Sequence, residues 1–328
     1  MNPRNKSIGL TICLFLLGNI FLLNAQQLPL RNAFGATGFL WNPAMTAFDN
    51  EWETGVAHHQ SWVGFDDAPQ STAIYGQYPF EKQPASIGGF LLLDEIKPIR
   101  NNVIGLTYAY KLDFGSKGNR RKSRGSRQNG QLSIGLMLAI HQFFVKGGDF
   151  TIQHPDDPLE PIGELNQFSP NIGAGIFYAS PLAGKNNRSY FYAGLGSNQL
   201  IPKDLLVKEG DLVGNLRQIF HGNASLGYRS VGDLFTIEPS LWFNLGAKNI
   251  LNSQFNLKFE HTKAFWATIH YNLNQTVGVQ IGYKLPSAFG DDSQLLIGVL
   301  GDFNMGGFGA ERGLGYGLYI AYKGIVIH

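Results

Sequence analysis

Strand-like alternation of apolar and polar positions recurs along most of the chain and is clearest in its last third. In "TVGVQIGYKL", Val277, Val279 and Ile281 alternate with Gly278 and Gln280. The runs "FNLKFEH" and "AFWATIHYNL" alternate in the same way and precede it with connections of only a few residues. A period of two predicts β-strands, and short connections between consecutive strands predict an antiparallel up-and-down meander.

The alternation gives about fourteen candidate strands, an even number of the kind found in membrane barrels. Their typical length of about ten residues suits a tilted strand that crosses a bilayer. No segment shows sustained helical period. A secreted sandwich or propeller is the alternative all-β architecture, but soluble sandwiches usually have shorter strands. The predicted fold is therefore all-β, a transmembrane up-and-down antiparallel β-barrel. The candidate strands lie near residues 52–60, 70–79, 85–95, 102–112, 130–141, 170–179, 189–197, 219–229, 232–243, 251–261, 264–273, 275–285, 293–302 and 314–323.

Residues 1–25, "MNPRNKSIGLTICLFLLGNIFLLNA", predict a secretory signal peptide. Arg4 and Lys6 form a basic start, an apolar run follows, and the small Ala25 marks the expected cleavage point. A membrane anchor helix is the alternative, although a Gly-Asn pair interrupts the apolar run and leaves it short for a span. We therefore expect residues 26–328 to form one outer-membrane barrel domain after export.

Removal of this leader changes the charge and the cysteine count. The loss of Arg4 and Lys6 lowers Lys+Arg from 26 to 24, which equals the 24 Asp+Glu. A formally neutral chain gives no indication of nucleic-acid binding. The one cysteine, Cys13, lies in the leader, so no disulfide framework is expected in the mature domain. Few charged residues (15%) with 41 Gly suit a β protein that meets lipid outside and has a filled lumen.

An even strand number with both termini in the periplasm assigns each connection to one side of the membrane. The two longest connections, 143–170 and 197–218, then face outward. Most inward connections are short, and the exception is the polar, basic stretch 113–130, which includes Arg120, Arg121 and Arg124. Such a stretch is typical of a solvated loop, and a docking site for an acidic partner is the alternative.

The segment "HQSWVGFDDAPQS" raises the question of a carboxylate pair. Asp66 and Asp67 could act in acid–base chemistry or bind Ca²⁺. Adjacent residues in an extended chain or turn point to different sides, however, and no second acidic cluster has a matching spacing. Trp62, Phe65 and Pro69 favour a rim anchor with a stiff turn.

The remaining motifs predict no catalytic residue, no metal site and no cofactor. His58 and His59 are neighbours and point to opposite faces of an extended chain, and no HxH or HxxxH pair occurs. No GxSxG, P-loop or zincin motif is present. An outer-membrane lipase or protease would need a nucleophile–base pairing that these residues do not provide, so we expect a protein that is not an enzyme.

Several stretches together resemble the PorP/SprF family, outer-membrane proteins associated with the type IX secretion system of Bacteroidetes-type bacteria. The first third carries the most specific elements, Asn42-Pro43-Ala44, then the Trp-Val-Gly-Phe element at 62–65, then an Ala-Pro turn at 68–69. The resemblance continues through residues 168–180, 237–243 and 255–285. It departs at Asp67, where the family often has Gly, in the basic insert, and in the lead into the last strand.

The resemblance implies a non-enzymatic outer-membrane component that helps secrete, anchor or display large surface proteins such as gliding adhesins. Its implied partners are the secreted cargo, other components of the secretion machine and the lipid bilayer. Alternation and loop length predict only the barrel, and the function is implied by the resemblance alone. A passive porin or a hydrophobic-solute transporter is the alternative function for such a barrel.

Partner contacts are expected at the rims. Exposed apolar residues on loops favour burial against another molecule, and nearby acidic residues suit a polar-rimmed contact surface. The alternative is that the long outward loops plug the lumen. The residues expected on the cargo-facing side are Trp62, Phe65, Asp156, Asp157, Leu205 and Leu206. The basic loop, with Arg120, Arg121 and Arg124, is expected to make a periplasmic contact.

Overall fold

The computed structural model describes a closed antiparallel barrel of fourteen strands. The described residues are 30, 37–114, 130–146, 164–181, 189–209, 212–218, 220–246, 250–273, 275–286, 293–305 and 313–325. The first strand pairs with the last, with Glu51 opposite Ile325. The prediction of an up-and-down barrel of about fourteen strands is confirmed. No helix in the described part of the chain is long and apolar enough to cross a membrane.

Sixteen strands are present in the described residues, of which β8 and β9 form a separate hairpin. The barrel strands are β1 (Glu51–Gln60), β2 (Gln70–Pro79), β3 (Ala85–Ile96), β4 (Ile99–Phe114), β5 (Gly130–Lys146), β6 (Glu164–Pro181), β7 (Tyr190–Gln199), β10 (His221–Val231), β11 (Phe235–Gly246), β12 (Ile250–His261), β13 (Phe265–Asn272), β14 (Thr276–Pro286), β15 (Ser293–Asn304) and β16 (Gly313–Ile325). The hairpin strands are β8 (Lys203–Glu209) and β9 (Leu212–Gln218).

The barrel has two rims, which we name by the chain segments that lie there. The terminal rim is the end at which β1 begins and β16 ends. The loop rim is the opposite end, and it carries the turn 61–69 and the hairpin β8–β9. The strands that flank the basic connection 115–129 end at the terminal rim, and those that flank the connection 147–163 end at the loop rim. The two segments therefore join the barrel at opposite ends, as the alternating strand directions predict.

Each strand presents one face to the lumen and one to the surroundings. On β5, Leu136 and Leu138 expose 61% and 66% of their surface, while Gly135, Met137 and Ala139 are buried. The same alternation of exposed Ile, Leu, Val, Tyr and Phe recurs around the barrel. A continuous apolar outer surface is stable in a bilayer and unfavourable in water, so the outward face is the lipid-facing face.

Three neighbouring strands are longer than the sequence predicts. β4, β5 and β6 have 16, 17 and 18 residues, whereas about ten suffice to cross a bilayer. The connection expected at 143–170 is consequently shorter, because β5 continues to Lys146 and β6 begins at Glu164. The connection expected at 197–218 is largely the hairpin β8–β9, whose seven-residue strands fall below the length expected of a membrane strand.

Candidate functional site

A segment that precedes β1 lies inside the barrel and fills its middle. Phe39, Leu40 and Trp41 are 2–3% exposed and form the centre of an apolar cluster with Leu30. The wall residues of this cluster come from nine of the fourteen barrel strands, and they are Ala57, Ala73, Tyr75, Phe90, Leu92, Val103, Met137, Ala139, Trp242, Trp266, Leu296, Tyr319 and Ala321. We call residues 37–48 the plug, since their side chains close the cross-section of the lumen.

The plug turns at the Asn42-Pro43-Ala44 sequence. Asn42 caps a short 3-10 turn over Pro43–Met45, and its Oδ1 accepts a hydrogen bond from the Ala44 amide at 3.0 Å. Its Nδ2 donates to the main-chain oxygen of Ile176 on β6 at 3.2 Å. One carboxamide thus shapes the turn and binds it to the barrel wall.

Glycines on the wall make room for this turn. A Cβ at Gly135 would lie 2.1 Å from the Ala44 nitrogen, and one at Gly175 would lie 2.0 Å from Asn42 Oδ1. Real Cβ atoms do not approach other atoms so closely. The main chain of the plug therefore rests directly on the bare backbone of β5 and β6, and any larger residue at these positions would push the plug away.

Polar contacts fix the remainder of the plug to the wall. The hydroxyl of Thr46 donates to Thr107 on β4 at 2.9 Å, and Ser86 on β3 donates to the Thr46 carbonyl oxygen at 2.5 Å. The Ala47 amide donates to Gln77 Oε1 at 2.7 Å. Lys111 Nζ donates to the Ala47 carbonyl oxygen. These bonds satisfy main-chain groups of the plug that would otherwise be buried without partners.

The luminal wall near the terminal rim carries a balanced network of charges. Glu260 lies at its centre, with Lys284 Nζ at 2.5 Å, Lys258 Nζ at 3.0 Å and Arg229 Nη2 at 3.1 Å. Arg229 also contacts Glu238 at 2.9 Å and has an electrostatic interaction with Asp49, just after the plug. Each charge of the network has opposite charges nearby, so the buried ions of this part of the wall are paired.

The luminal wall near the loop rim is polar but largely uncharged. His59 Nε2 and Asp302 Oδ2 lie 2.6 Å apart, and both side chains are almost fully buried. Carboxamides from β10 to β13 occupy the rest of this wall, and they are Asn223, Asn244, Asn252, Gln254 and Asn272. Among the described residues, no group of three or more His, Cys, Asp or Glu side chains could hold a metal ion.

The turn 61–69 at the loop rim contains the two aromatic residues predicted to contact a partner. Trp62 lies against β16, where a Cβ at Gly313 would come 2.0 Å from its Cδ1, and the Val63 amide donates to the Leu314 carbonyl at 2.7 Å. Phe65 is 48% exposed. Trp62 therefore fixes the turn to the barrel, while Phe65 remains free to contact another molecule.

The two aspartates of this turn do not form a carboxylate site. Both Asp66 and Asp67 are exposed, and Asp67 makes an exposed ion pair with Lys97 at 2.7 Å. Trp62 and Asp67 both have positive φ, at 53° and 63°, as does Gly64 at 101°. A left-handed backbone conformation at three positions reverses the chain tightly. The geometry is that of a stiff turn between β1 and β2.

The other predicted partner residues are only partly placed. Leu205 and Leu206 lie on β8 of the loop-rim hairpin, opposite Leu216 and Asn215 of β9. The remaining ones lie outside the described residues, and they are Asp156, Asp157, Arg120, Arg121 and Arg124. The structure thus brings Trp62, Phe65, Leu205 and Leu206 to the same rim.

The plug is the site that the sequence reasoning missed. Its run "GFLWNPAM" is apolar and lacks the period of two, and it lies between the leader and the first predicted strand. An apolar run without strand or helix period just before a barrel is the signal that indicates a luminal segment. Trp242 and Trp266 also help fill the lumen, since both are buried in the apolar cluster.

Comparison with known proteins finds one family and several solved structures that resemble this barrel. The family model described as "Type IX secretion system membrane protein PorP/SprF" matches residues 23–322. The CymD monoaromatic hydrocarbon channel has a TM-score of 0.54 at 11% identity, over 90% of this chain and 94% of that chain. The Ralstonia pickettii toluene transporter TbuX has a TM-score of 0.49 at 9% identity, over 87% and 92%. No curated protein matches. The likeness to CymD is one of fold.

Proposed function

Because the chain belongs to the PorP/SprF family of type IX secretion system membrane proteins, which its family match over residues 23–322 establishes, we propose that it helps secrete, anchor or display large surface proteins such as gliding adhesins. It does so as a non-enzymatic barrel of the outer membrane. In this proposal a signal peptide cleaved after Ala25 directs its export, and the terminal rim lies in the periplasm.

The observation that carries this proposal is the closed lumen. Residues from strands around the barrel pack on Phe39, Leu40 and Trp41, and the charge network lies between them and the terminal rim. A surface protein does not pass through a lumen filled in this way. The plug therefore supports a role in which the barrel engages its partners at its rims.

The two rims have different proposed partners. The loop rim faces the cargo through Trp62 and Phe65, together with the acidic and apolar residues Asp156, Asp157, Leu205 and Leu206. The basic connection at the terminal rim, with Arg120, Arg121 and Arg124, contacts periplasmic components of the secretion machine. The exposed Phe65 at the loop rim supports the first assignment, since exposed apolar groups on a rim are stabilised by contact with a partner.

Deletion of residues 150–165 tests the assignment of sides. We expect the deletion to abolish retention of surface cargo while the barrel still folds, as shown by its migration on unheated gels. Co-purification from detergent extracts identifies the partner that is lost. If the deletion variant retained cargo and charge reversal of Arg120, Arg121 and Arg124 released it, the two rims would be assigned the wrong way round.

A passive porin or hydrophobic-solute transporter is the second candidate function. The fold likeness to the CymD channel is compatible with it. Conduction separates the two candidates, because a barrel with a seated plug conducts little. Steady open-channel conductance of the purified protein in a planar bilayer, together with normal secretion in a gene-deletion strain, would favour the transporter and contradict the secretion role.

A further inference from the structure

The closed part of the barrel has no free edge, but β6 projects beyond this part at the loop rim. Its pairing with β5 covers Glu164–Ala179, whereas its pairing with β7 covers only Ala174–Pro181. One further main-chain bond follows, from the Leu200 amide to the Ile172 carbonyl oxygen at 3.0 Å. In the described part of the chain, no main-chain bond joins the first residues of β6 to any strand other than β5.

Two prolines explain why the ladder on the β7 side stops at this point. Main-chain groups of an antiparallel ladder bond at every second residue, so the next rung would join residues 170 and 202. Both are proline, and neither Pro170 nor Pro202 has an N–H to donate. The side chain of Asn171 bridges the gap, since it binds the Ile201 carbonyl at 2.9 Å and the Ile201 amide at 3.2 Å. The chain then enters the hairpin β8–β9, which forms a sheet of its own.

The main-chain groups left over on β6 belong to Asn166, Phe168 and Pro170. Ile172 shows their direction, because its carbonyl oxygen accepts from the chain after β7 and its amide donates to Asn171 Oδ1 at 2.9 Å. Both groups of Ile172 thus point away from β5, and every second residue of a strand repeats this direction. The amides and carbonyl oxygens of Asn166 and Phe168 and the carbonyl oxygen of Pro170 therefore form an edge, which we call the β6 edge.

The β6 edge lies where the chain meets water at the loop rim. Phe168 is 63% exposed, and Asn166 and Pro170 are exposed as well. The side chains of Asn102, Gln142 and Asn166 form a hydrogen-bonded row across β4, β5 and β6, with distances of 3.3 and 3.1 Å. Carboxamides are unfavourable in hydrocarbon, so this row marks the border of the lipid-facing surface. A partner in the aqueous phase can therefore reach the edge.

The overhang of another strand at the same rim is covered, which the β6 edge is not. β16 extends beyond its pairing with β1, which ends with Tyr316 opposite Gln60. The turn 61–69 covers this overhang, since the Val63 amide donates to the Leu314 carbonyl at 2.7 Å. No described segment bonds to the β6 edge in this way. Because an uncovered edge invites pairing with other chains, the difference favours a partner at β6.

The chemistry of the β6 edge selects an extended polypeptide. Its donors and acceptors recur at every second residue, which is the repeat of a neighbouring β-strand. A lipid chain offers no such groups, and the hydroxyl groups of a glycan do not have this repeat. Phe168 lies beside the edge, so an apolar side chain on the incoming strand packs against it.

We propose that the β6 edge binds one extended strand of a partner polypeptide, which continues the sheet of β5 and β6 at the loop rim. The strand accepts hydrogen bonds from the amides of Asn166 and Phe168 and donates to the carbonyl oxygens of this edge, including that of Pro170. Main-chain bonds supply the affinity in recognition of this kind. The inference goes beyond the side-chain contacts proposed for the rims and does not depend on which protein is the cargo.

Binding of a defined peptide to the purified full chain in detergent tests this proposal. The probe is a fluorescent peptide of alternating Thr and Val with one Lys at each end, and its anisotropy gives Kd. Asn166→Pro removes one amide of the edge and no bond of the ladder with β5, because this amide points away from β5. Asn166→Ala is the matched control, since it removes the same side chain and keeps the amide. Migration on unheated gels shows that each variant is folded.

We expect the peptide to bind the unmodified chain and the Asn166→Ala control with similar affinity. Asn166→Pro should bind at least about fivefold more weakly, the equivalent of one hydrogen bond of about 1 kcal/mol. Pro170→Ala adds an amide to the edge and should tighten binding about fivefold for the same reason. The amides of Asn166 and Phe168 should exchange with deuterium quickly in the free chain and slowly with the peptide bound.

Several results would overturn the proposal. Equal binding by Asn166→Pro and Asn166→Ala would show that the edge amide takes no part, and no binding up to about 1 mM peptide would exclude the site. Slow exchange of the Asn166 and Phe168 amides in the free monomer would show that another part of this chain covers the edge. Slow exchange in a dimer would assign the edge to a second copy.

A methylated probe decides the question if Asn166→Pro does not fold. The same peptide with every amide N-methylated keeps its side chains and carbonyl groups but cannot donate to the edge. It should bind the unmodified chain at least about fivefold more weakly, since its hydrogen bonds to the edge carbonyls are lost. Equal binding of the two probes would reduce the contact to side chains and contradict the proposal. None of these measurements involves cargo, so the proposed secretion function stands or falls separately.

Discussion

Gly135 and Gly175 show how single positions of the wall decide where the plug lies. Each faces the lumen, and a Cβ at either would come within about 2 Å of the Asn42–Ala44 turn. Gly301 on β15 has no neighbouring atom within 4 Å of a Cβ built there. Glycine is thus required at Gly135 and Gly175, where the plug approaches the wall closely, and is replaceable at Gly301.

Replacement of Gly135 by Ala is expected to lift the plug from β5. The added methyl group overlaps the Ala44 nitrogen, and overpacking of this kind costs about 1–3 kcal/mol. Thermal unfolding in detergent measures the loss, and planar-bilayer conductance measures any opening of the lumen. Gly301→Ala is the control and should change neither. Equal behaviour of the two variants would mean that the plug does not rest on Gly135.

Two ion pairs of the protein differ in burial and therefore in their contribution to stability. His59 and Asp302 are 7% and 5% exposed in their side chains, while Lys97 and Asp67 are 47% and 55% exposed. An exposed pair is screened by water and contributes little. Loss of one member of a buried pair leaves the other without a partner in a poorly solvated place.

Asp302→Ala should therefore lower the free energy of unfolding by about 1–3 kcal/mol, because it leaves the His59 imidazole buried without its partner. Lys97→Ala, which breaks the exposed pair, should change it by at most about 0.5 kcal/mol. Urea titration of the barrel in lipid vesicles gives both values. A loss at Lys97 as large as that at Asp302 would contradict the ranking.

At the scale of elements, the plug differs from the strands in what holds it. A barrel strand is held by main-chain bonds to two neighbours, whereas the plug is held by side chains such as those of Asn42, Thr46, Gln77, Ser86 and Lys111. The position of the plug therefore depends on individual side chains and not on a ladder of main-chain bonds.

A disulfide between the plug and β4 tests whether the plug lies against this strand. Thr46 and Thr107 hydroxyls lie 2.9 Å apart, so Thr46→Cys with Thr107→Cys should form a disulfide on oxidation. The bond closes a loop of 61 residues (107 minus 46). It should raise the free energy of unfolding by about 2–4 kcal/mol, reversibly with reductant.

Free-thiol counting and urea unfolding give the two readouts, and each single-cysteine variant is the control. Two thiols that stay free under oxidation would place the plug away from β4.

At the scale of the whole molecule, closure of fourteen strands leaves no free edge in the barrel. All main-chain bonds between strands are internal to the barrel, and its outer surface is apolar. A closed barrel resists detergent in a way that an open sheet does not, because unfolding must break many bonds together.

The purified protein should therefore migrate faster on gels when it is not boiled than when it is boiled. The compact barrel binds less dodecyl sulfate than the unfolded chain, and the two forms separate. The sample is a chain that begins at Gln26, as the predicted cleavage after Ala25 would leave it. A monomer that stays soluble without detergent would contradict the assignment of the outer face to lipid.

The positions of the barrel strands, their inward and outward faces and their number follow from the sequence alone. All fourteen predicted strands overlap barrel strands of the structure. The physical reason is local, since a strand with lipid on one face and lumen on the other must alternate every second residue. The same reasoning identified the turn at Trp62 and Phe65, because Gly, Asp and Pro mark a reversal between two alternating runs.

Only the tertiary structure decided what fills the lumen. The plug has no period to reveal it, and its seat depends on Gly135 and Gly175, which alternation alone does not distinguish from other luminal glycines such as Gly278. His59 and Asp302 are 243 positions apart in the chain and meet because the barrel closes. The buried side chains of Asn223, Asn244 and Asn252 likewise lie side by side because of the register of β10, β11 and β12. A local pattern fixes which way a side chain points, whereas its neighbour across the lumen is set by the closure and register of the whole sheet.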